Sequence, residues 1–381
     1  MGKGIFFCSL EIEEEEVFMK RKKNILIIGG CGAAGEVVTR LLSVNTDNVI
    51  FIADINFEKS KILAQQLREN IEAIELDIFN EAQLRNICQM SDIIVNCAGP
   101  TARIMDTVGK IAIQEECDYI EIGGYDCTNE EFRRNITPYN NISYVISAGW
   151  IHGISDYLAY YSDMRASEIF DKKENMLFLF GDRNTMSYNS LLDIVKYSQK
   201  DETGNMNMAK SGKIMKAINP IKSFDLPFGL KKQRGFTHMT NELRIFARNH
   251  TEYDQLKSYI ISYGWNTYFT LMKIALLIRS DESCVRVLET AIQKEIDEKG
   301  KFGVAVVKIS GFKDGKRMNL WTAIETTDNY FMTGAGCAAT VILLLKQKVK
   351  KGFGYMSESI DVAEYTATLN KLGVKISEEI E

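Results

Sequence analysis

The stretch "NILIIGGCGAAGEVVTRLL", Asn24 to Leu42, constrains the chain more than any other. Its aliphatic run, Ile25 to Ile28, reads as a strand buried on both faces, as in a parallel sheet. A helical pattern follows the glycines. Gly30-Cys31-Gly32-Ala33-Ala34-Gly35 is G-x-G-x-x-G in the one context that gives the pattern meaning, after a strand and at the start of a helix. The first glycine permits a tight turn, the second lets a pyrophosphate approach the backbone, and the third lets helix and strand pack closely. The helix start then offers unpaired N–H groups and partial positive charge to the phosphates. The motif therefore predicts dinucleotide contacts at Gly30, Gly32, Ala33, Ala34 and Gly35.

An acidic residue about 20 positions further on binds the ribose hydroxyls in such sites. Asp54, closing "FIAD", stands 24 residues after Gly30. A carboxylate there repels a 2′-phosphate, the next residue is Ile55 and the nearest cation is Lys59, so NAD is favoured over NADP as the cofactor. Asp77 ends the third strand, where it either approaches the adenine or caps the following helix. "NCAGP" ends the fourth strand and predicts Asn96, Ala98, Gly99 and Pro100 beside the nicotinamide ribose, with a turn cap as the other reading of Asn96.

From Lys23 to Gly149 short apolar runs alternate with helical patterns: "NVIFIAD", "IEAIELDI", "SDIIVNCAG", "DYIEIGG" and "NISYVISAG" are strands between helices. That alternation implies right-handed βαβ units, hence an α/β class with a doubly wound Rossmann sheet. "TARIMDTVGKIAIQEEC" reads as one helix. The texture changes after Gly149. "NMLFLFGDR", "NELRIFARN", "KFGVAVVKISGF" and "MNLWTAIETT" read as strands, the last two joined by the hairpin signal "KDGK", while 201–240 is loop-rich. The expected organisation is a dinucleotide domain at 19–149 plus about 330–381, and an α+β substrate and dimerisation domain with a mixed or antiparallel sheet at 150–329. "AGCAATVILLLKQKV" is a buried helix of the returning part.

The bulk numbers narrow the function classes. The net charge is -5, with no strong basic patch of the kind nucleic-acid binding needs. "YFTLMKIALLI" is too short to span a bilayer and carries Lys273. The eight cysteines form no C-x-x-C, and the three histidines lie far apart in sequence, so a reduced cytoplasmic protein without a metal is expected. Few prolines and abundant Ile, Lys and Asn hint at an AT-rich bacterial genome. "EIEEEE" just before Met19 is what a purine-rich ribosome-binding site gives when read in frame; residues 1–18 are thus a non-native leader or an acidic disordered tail.

"ILIIGGCGAAGEVVTRLL", "VNCAGP" and "CDYIEIGGYD" together resemble the NAD(P)-binding domain of the saccharopine dehydrogenase/reductase family. "SAGWIHGISDYLA" is similar to the family's turn and helix after the last Rossmann strand, and "TGAGCAATVILLLKQKVKKGFGYMSESID" to its return into the dinucleotide domain. The resemblance implies hydride transfer between a nicotinamide and a carbon–nitrogen bond of a small amino-acid-derived substrate, by a homodimer. Tyr125 and Asp126 follow the fifth strand on the cofactor side, where either has a site role or else Asp126 caps a helix and Tyr125 packs; Tyr125 matches a family tyrosine, and Asp156 falls on a family acidic position. Where the family turn has Asp-Pro this chain has Ile151-His152, and where saccharopine reductases show a Cys-Gly-Gly-Leu-Pro-like strand end it has Phe180 to Asn184. Both departures argue against saccharopine itself.

Hydride transfer to an imine needs a group that manages the nitrogen proton and cations for substrate carboxylates. His152, on a turn, suits the first task, and Asp156 could orient it from four residues on or cap the helix. Arg183, after a strand of the second domain, suits a carboxylate clamp, with Arg103, Arg234, Arg244 and His238 as further candidates. Two other functions stay open: a carbonyl or enoyl reductase on the same scaffold, and a dinucleotide sensor without turnover.

Overall fold

The aliphatic run after Lys23 forms β1 (Asn24–Ile28), buried from Ile25 onward. In the computed structural model, which describes residues 21–124, 141–199, 206–230, 232–261, 264–276 and 280–381, this strand is central to the first of two sheets. The glycine turn leads into α1 (Ala33–Asn45). Then follow β2 (Val49–Asp54), α2 (Phe57–Gln65), β3 (Ile71–Glu75), α3 (Glu81–Gln89), β4 (Ile93–Asn96), α4 (Thr101–Ile104), α5 (Thr107–Gln114), β5 (Asp118–Glu121) and β6 (Ser143–Ile146). The single helix expected over "TARIMDTVGKIAIQEEC" is two, because Met105 takes φ 49° between α4 and α5.

The second domain opens with α6 (Ile154–Ile169), β7 (Lys172–Arg183) and α7 (Tyr188–Ser198). The stretch expected to be loops holds short strands: β8 (Asn207–Lys210), β9 (Lys213–Lys216), β10 (Ile221–Phe224) and β11 (Gln233–Thr237). "NELRIFARN", expected as a strand, is instead α8 (Asn241–Asn249). The Thr240 hydroxyl accepts from Leu243 N at 3.0 Å and caps that helix, while Leu243, Phe246 and Ala247 bury one helical face. Next come β12 (Gln255–Ile260), α9 (Trp265–Leu276), α10 (Asp281–Lys299) and the long hairpin β13 (Phe302–Lys313) and β14 (Lys316–Thr326).

The chain returns through α11 (Asn329–Leu345), which packs on α1, and β15 (Gly352–Tyr355), which adds to the first sheet in parallel with β6. After α12 (Met356–Ser359) and α13 (Val362–Lys371), β16 (Ser377–Ile380) pairs antiparallel with β14. The return into the dinucleotide domain thus excludes the last strand, which belongs to the second sheet.

The first sheet is parallel throughout, in the order β15-β6-β5-β4-β1-β2-β3. The second runs β10-β11-β12-β7-β13-β14-β16 with β8 on β12, and is mixed because β7 and β12 pair in parallel. A core cluster from Ile25 and Ile27 through Tyr157, Phe178 and Val307 to Ala338 and Leu343 joins both sheets, so the two walls of the cleft between them share one interior. Among the described residues no helix is long and apolar enough to cross a membrane.

Candidate active site

Strand ends of the first sheet and elements of the second enclose a cleft of about 1250 Å³. On the first-domain side Gly29 makes the turn with φ 70°, and a Cβ there would stand 2.8 Å from Ala98 N. At Gly35 a Cβ would fall 2.1 Å from Gly29 O, so α1 can approach the strand only with glycine there. Gly32 is the N-cap of α1, which no side chain caps, and Gly32, Ala33 and Ala34 line the cleft. Gly30 does not: its missing side chain would face Ile27 and Ile52 in the sheet. Gly29 takes the cleft-facing place, and the doubled glycine in "IIGG" was its signal.

Asp54 lines the cleft from the end of β2, its carboxylate accepting from Asn56 N at 3.0 Å. Lys59, the nearest cation in sequence, spends its ammonium on the Cys31 carbonyl. Asp77 lines the cleft and also accepts from Phe79 N at 3.0 Å. Ala98, Gly99 and Pro100 line it, whereas Asn96 is buried beneath them. The Asn96 side chain accepts from Ala98 N at 3.1 Å and donates to Tyr119 Oη at 3.0 Å, and Tyr119 donates to Glu121 at 2.9 Å. Asn96 is therefore the turn cap of the two readings. Burial pushes the Glu121 carboxyl up to about 7 against the Tyr119 hydrogen bond, with Asp193 and Asp106 adding to the rise.

The second domain grips the same turn. Asn189 donates to Gly99 O at 2.9 Å, and the Asp193 carboxylate accepts from Thr101 N at 3.0 Å and Ala102 N at 2.8 Å.

His152, Phe180, Asp182 and His238 line the opposite end. His152 Nδ1 lies 3.3 Å from Asp156 Oδ2. Asp156 is buried at the start of α6, accepting from Thr240 Oγ1 at 2.6 Å and Ser155 Oγ at 3.0 Å. Burial acts to raise its pKa, but the His152 hydrogen bond and charge and the two hydroxyls outweigh it and hold the carboxyl below its usual range. The Phe180 ring meets both imidazoles edge-on, at 5.9 Å from His152 and 6.0 Å from His238. Burial, then the neighbouring His152, drives His238 down to about 3, so this ring is neutral at ordinary pH.

Arg183 does not line the cleft. Its Nε donates to Gly300 O at 3.0 Å and its guanidinium lies 5.4 Å from the Phe302 ring. Side chains alternate along a strand, so with Phe180 turned to the cleft it is Asp182 that shares that side. Burial pushes the Asp182 carboxyl up to about 6, against the Asn184 and Trp150 side chains, and Asn184 Nδ2 donates to it at 2.7 Å. Arg103 also lines the cleft, from the first domain. Arg234 stacks over Trp265 and Arg244 donates to Asn241, neither lining the cleft. Tyr125 and Asp126 lie outside the described residues.

The first-domain half fits a dinucleotide. Its helix start is uncapped, Gly32 leaves open space where only Gly29 O comes within 4 Å of a Cβ, and exposed Ile55 and Phe79 offer apolar cover to a base. Residues 25–142 match the family model of the saccharopine dehydrogenase NADP binding domain. Apo saccharopine dehydrogenase (L-Glu forming) from Saccharomyces cerevisiae superposes with a TM-score of 0.68 at 14% identity, covering 94% of this chain and 100% of that one. The chain has the saccharopine dehydrogenase fold, with a match to that family's NADP binding domain over residues 25–142. That fold accounts for the return of α11 and β15 into the first sheet as well as for the mixed second sheet.

Two further likenesses are more limited. Glutamyl-tRNA reductase of Methanosphaera stadtmanae is 36% identical over 98 residues, 26% of this chain and 23% of its own length, so the chain spans under a quarter of that curated relative. C. glutamicum DAP dehydrogenase superposes at a TM-score of 0.47 with 12% identity over 90% of this chain and 95% of that one. The Gly29–Ala34 turn, Asp54, the Ala98–Pro100 turn, His152, Asp182 and His238 all contribute to this one cleft.

Proposed function

We propose that the protein is an NAD(P)H-dependent reductase of carbon–nitrogen double bonds, acting on an imine formed between a carbonyl compound and an amine, the latter amino-acid-derived in the family resemblance. The observation that carries this is the Asp182 carboxylate, half-buried on the wall of a cleft that His152, Phe180 and His238 also line. An acid in that place complements a cation, as a protonated imine is, and repels the oxyanion that carbonyl or enoyl reduction generates. When bound, the nicotinamide supplies the hydride.

The chain's own groups do the rest. Asp182 is the counter-charge for the protonated nitrogen. Asp156, fixed by Thr240 and Ser155, holds Nδ1 of His152, so Nε2 is the nitrogen that exchanges a proton with substrate. Neutral His238 contributes a polar group without competing charge. The imine carbon gains the hydride, the nitrogen keeps its proton, and a secondary amine results. The preferred cofactor is NAD(H): Asp54 lines the cleft at the end of β2, where a carboxylate disfavours a 2′-phosphate, and the Lys59 ammonium is committed to the Cys31 carbonyl.

The test is initial-rate NADH and NADPH oxidation with mixed amines and carbonyl compounds. Oxidation that requires both amine and carbonyl supports the reading. Equal oxidation with the carbonyl alone makes the protein a carbonyl reductase, and tight dinucleotide binding with no turnover on any mixture makes it a sensor.

A further inference from the structure

Beyond the His152–Asp182 group the wall that the second domain gives the cleft mixes polar residues such as Ser187, Ser190 and Asp193 with an apolar set that includes Met186, Ile194, Phe236 and Leu271. The Lys196 ammonium on this wall is paired with Asp281 at 2.6 Å. At the rim Met206, Ile221 and Met272 line the cleft and are nonetheless exposed, at 47%, 43% and 43%. Met272 belongs to a second feature. On α9 the exposed large apolar residues are Trp265, Phe269, Met272 and Leu276, spaced four, three and four residues apart. That spacing puts all of them on one helical face. Trp265 and Phe269 stack at 5.3 Å, with the Arg234 guanidinium 4.6 Å from the Trp265 ring at that end, while Tyr268, Leu271 and Ala275 of the same helix line the cleft. The stripe is thus continuous with the cleft through Met272, and its length is about 16 Å.

We infer that the substrate carries a hydrocarbon chain whose reacting carbon sits at the cofactor end of the cleft, whose body follows the second-domain wall, and whose far end lies on the exposed stripe of α9. Isolated exposed apolar residues need no explanation, but a contiguous apolar surface leading out of a binding cleft marks something that binds there. Continuity with the cleft selects the substrate's own chain as the occupant. The stripe alone takes roughly twelve carbons, so a chain that also follows the wall is longer, and a series up to dodecanal reads the wall and the near end of the stripe. The inference rests on the reductase reading for the reacting group only.

The experiment is a length series: straight-chain aldehydes from propanal to dodecanal, each with and without methylamine, with NADH and NADPH and below micelle-forming concentrations. The expected result is a kcat/KM that rises at least about twofold per methylene, with a flatter upper part of the series in Met272→Glu. A flat series in which short imines are still reduced overturns the hydrocarbon chain and leaves imine reduction standing. The same rise without methylamine supports the chain and overturns imine reduction. Calorimetric binding of dodecylamine and propylamine to the protein with NAD+ gives a readout independent of turnover. Binding at least about a hundredfold tighter for dodecylamine supports the inference, and equal affinities overturn it. A flat series together with Phe269→Glu converting a dimer to a monomer in sedimentation assigns the stripe to a second copy of the chain and also overturns it.

Discussion

Asp182→Asn separates the energetic cost of the candidate site from its use. Burial raises the Asp182 carboxyl from 3.8 to about 6. The folded protein therefore retains a proton that the unfolded chain releases between these values, and the stability this proton represents is complete below about pH 4 and is lost as pH rises through about 6. Roughly two units at 1.36 kcal/mol each amount to about 3 kcal/mol, or about 2 kcal/mol after allowance for the group's partial exposure. Asparagine does not titrate, and its carbonyl can still accept from Asn184. The variant should be more stable than the parent by about 2 kcal/mol at about pH 8 and by about half of that at about pH 5. For a chain of this length that is about 2 to 3 °C in Tm at the higher pH. Urea unfolding at the two pH values measures it. Reductase activity should move oppositely, with kcat/KM for an imine falling about ten- to a hundredfold as a charged partner is lost, and with the limb of the pH profile near 6 disappearing. A variant that is no more stable than the parent at about pH 8, or a stability gap equal at both pH values, would falsify the assignment of a carboxylate whose pKa partial burial raises.

The glycine turn makes a paired prediction. A Cβ at Gly32 meets only Gly29 O, at 3.1 Å, so Gly32→Val should fold but lose at least about a hundredfold in calorimetric affinity for NADH and NADPH as the side chain enters the pyrophosphate's approach. A Cβ at Gly35 collides with Gly29 O, so Gly35→Ala should lose about 3 kcal/mol or more of unfolding free energy. His152→Asn should lower kcat and flatten its profile between about pH 6 and about pH 9; a kcat at the parent's level throughout removes His152 from proton exchange. KM should be lower for NADH than for NADPH, and the reverse order would show that Asp54 does not exclude a 2′-phosphate.

The parallel sheet was legible because uninterrupted aliphatic runs such as Ile25 to Ile28 leave a strand no solvent-facing side. The glycine turn itself was legible in outline from Gly32 and Gly35. Its detail was not: G-x-G-x-x-G puts the first glycine at Gly30, whereas the positive φ and the close approach to Ala98 fall on Gly29. In "FGDRN" a cation drew attention to Arg183, yet strand alternation allows only one of Asp182 and Arg183 to face the cleft beside Phe180, and it is the acid. The pattern Leu243-Arg244-Ile245 mimics a strand, and only the Thr240 cap and the Phe246–Ala247 pair reveal the helix. β16 could not be foreseen, since all four of its residues are exposed and its place depends on backbone pairing with β14. The apolar part of the cleft's second wall comes from residues as far apart in sequence as Met186, Phe236 and Leu271, so no local pattern announces it.

The most direct test of the account is a single comparison with the full chain: NADH oxidation in the presence of a carbonyl compound and an amine together, against each alone, with the secondary amine identified by mass spectrometry after transfer of deuterium from labelled NADH. Imine reduction predicts oxidation only in the mixture and one deuterium on the carbon joined to nitrogen. Oxidation with the carbonyl alone, giving a deuterated alcohol, would contradict it.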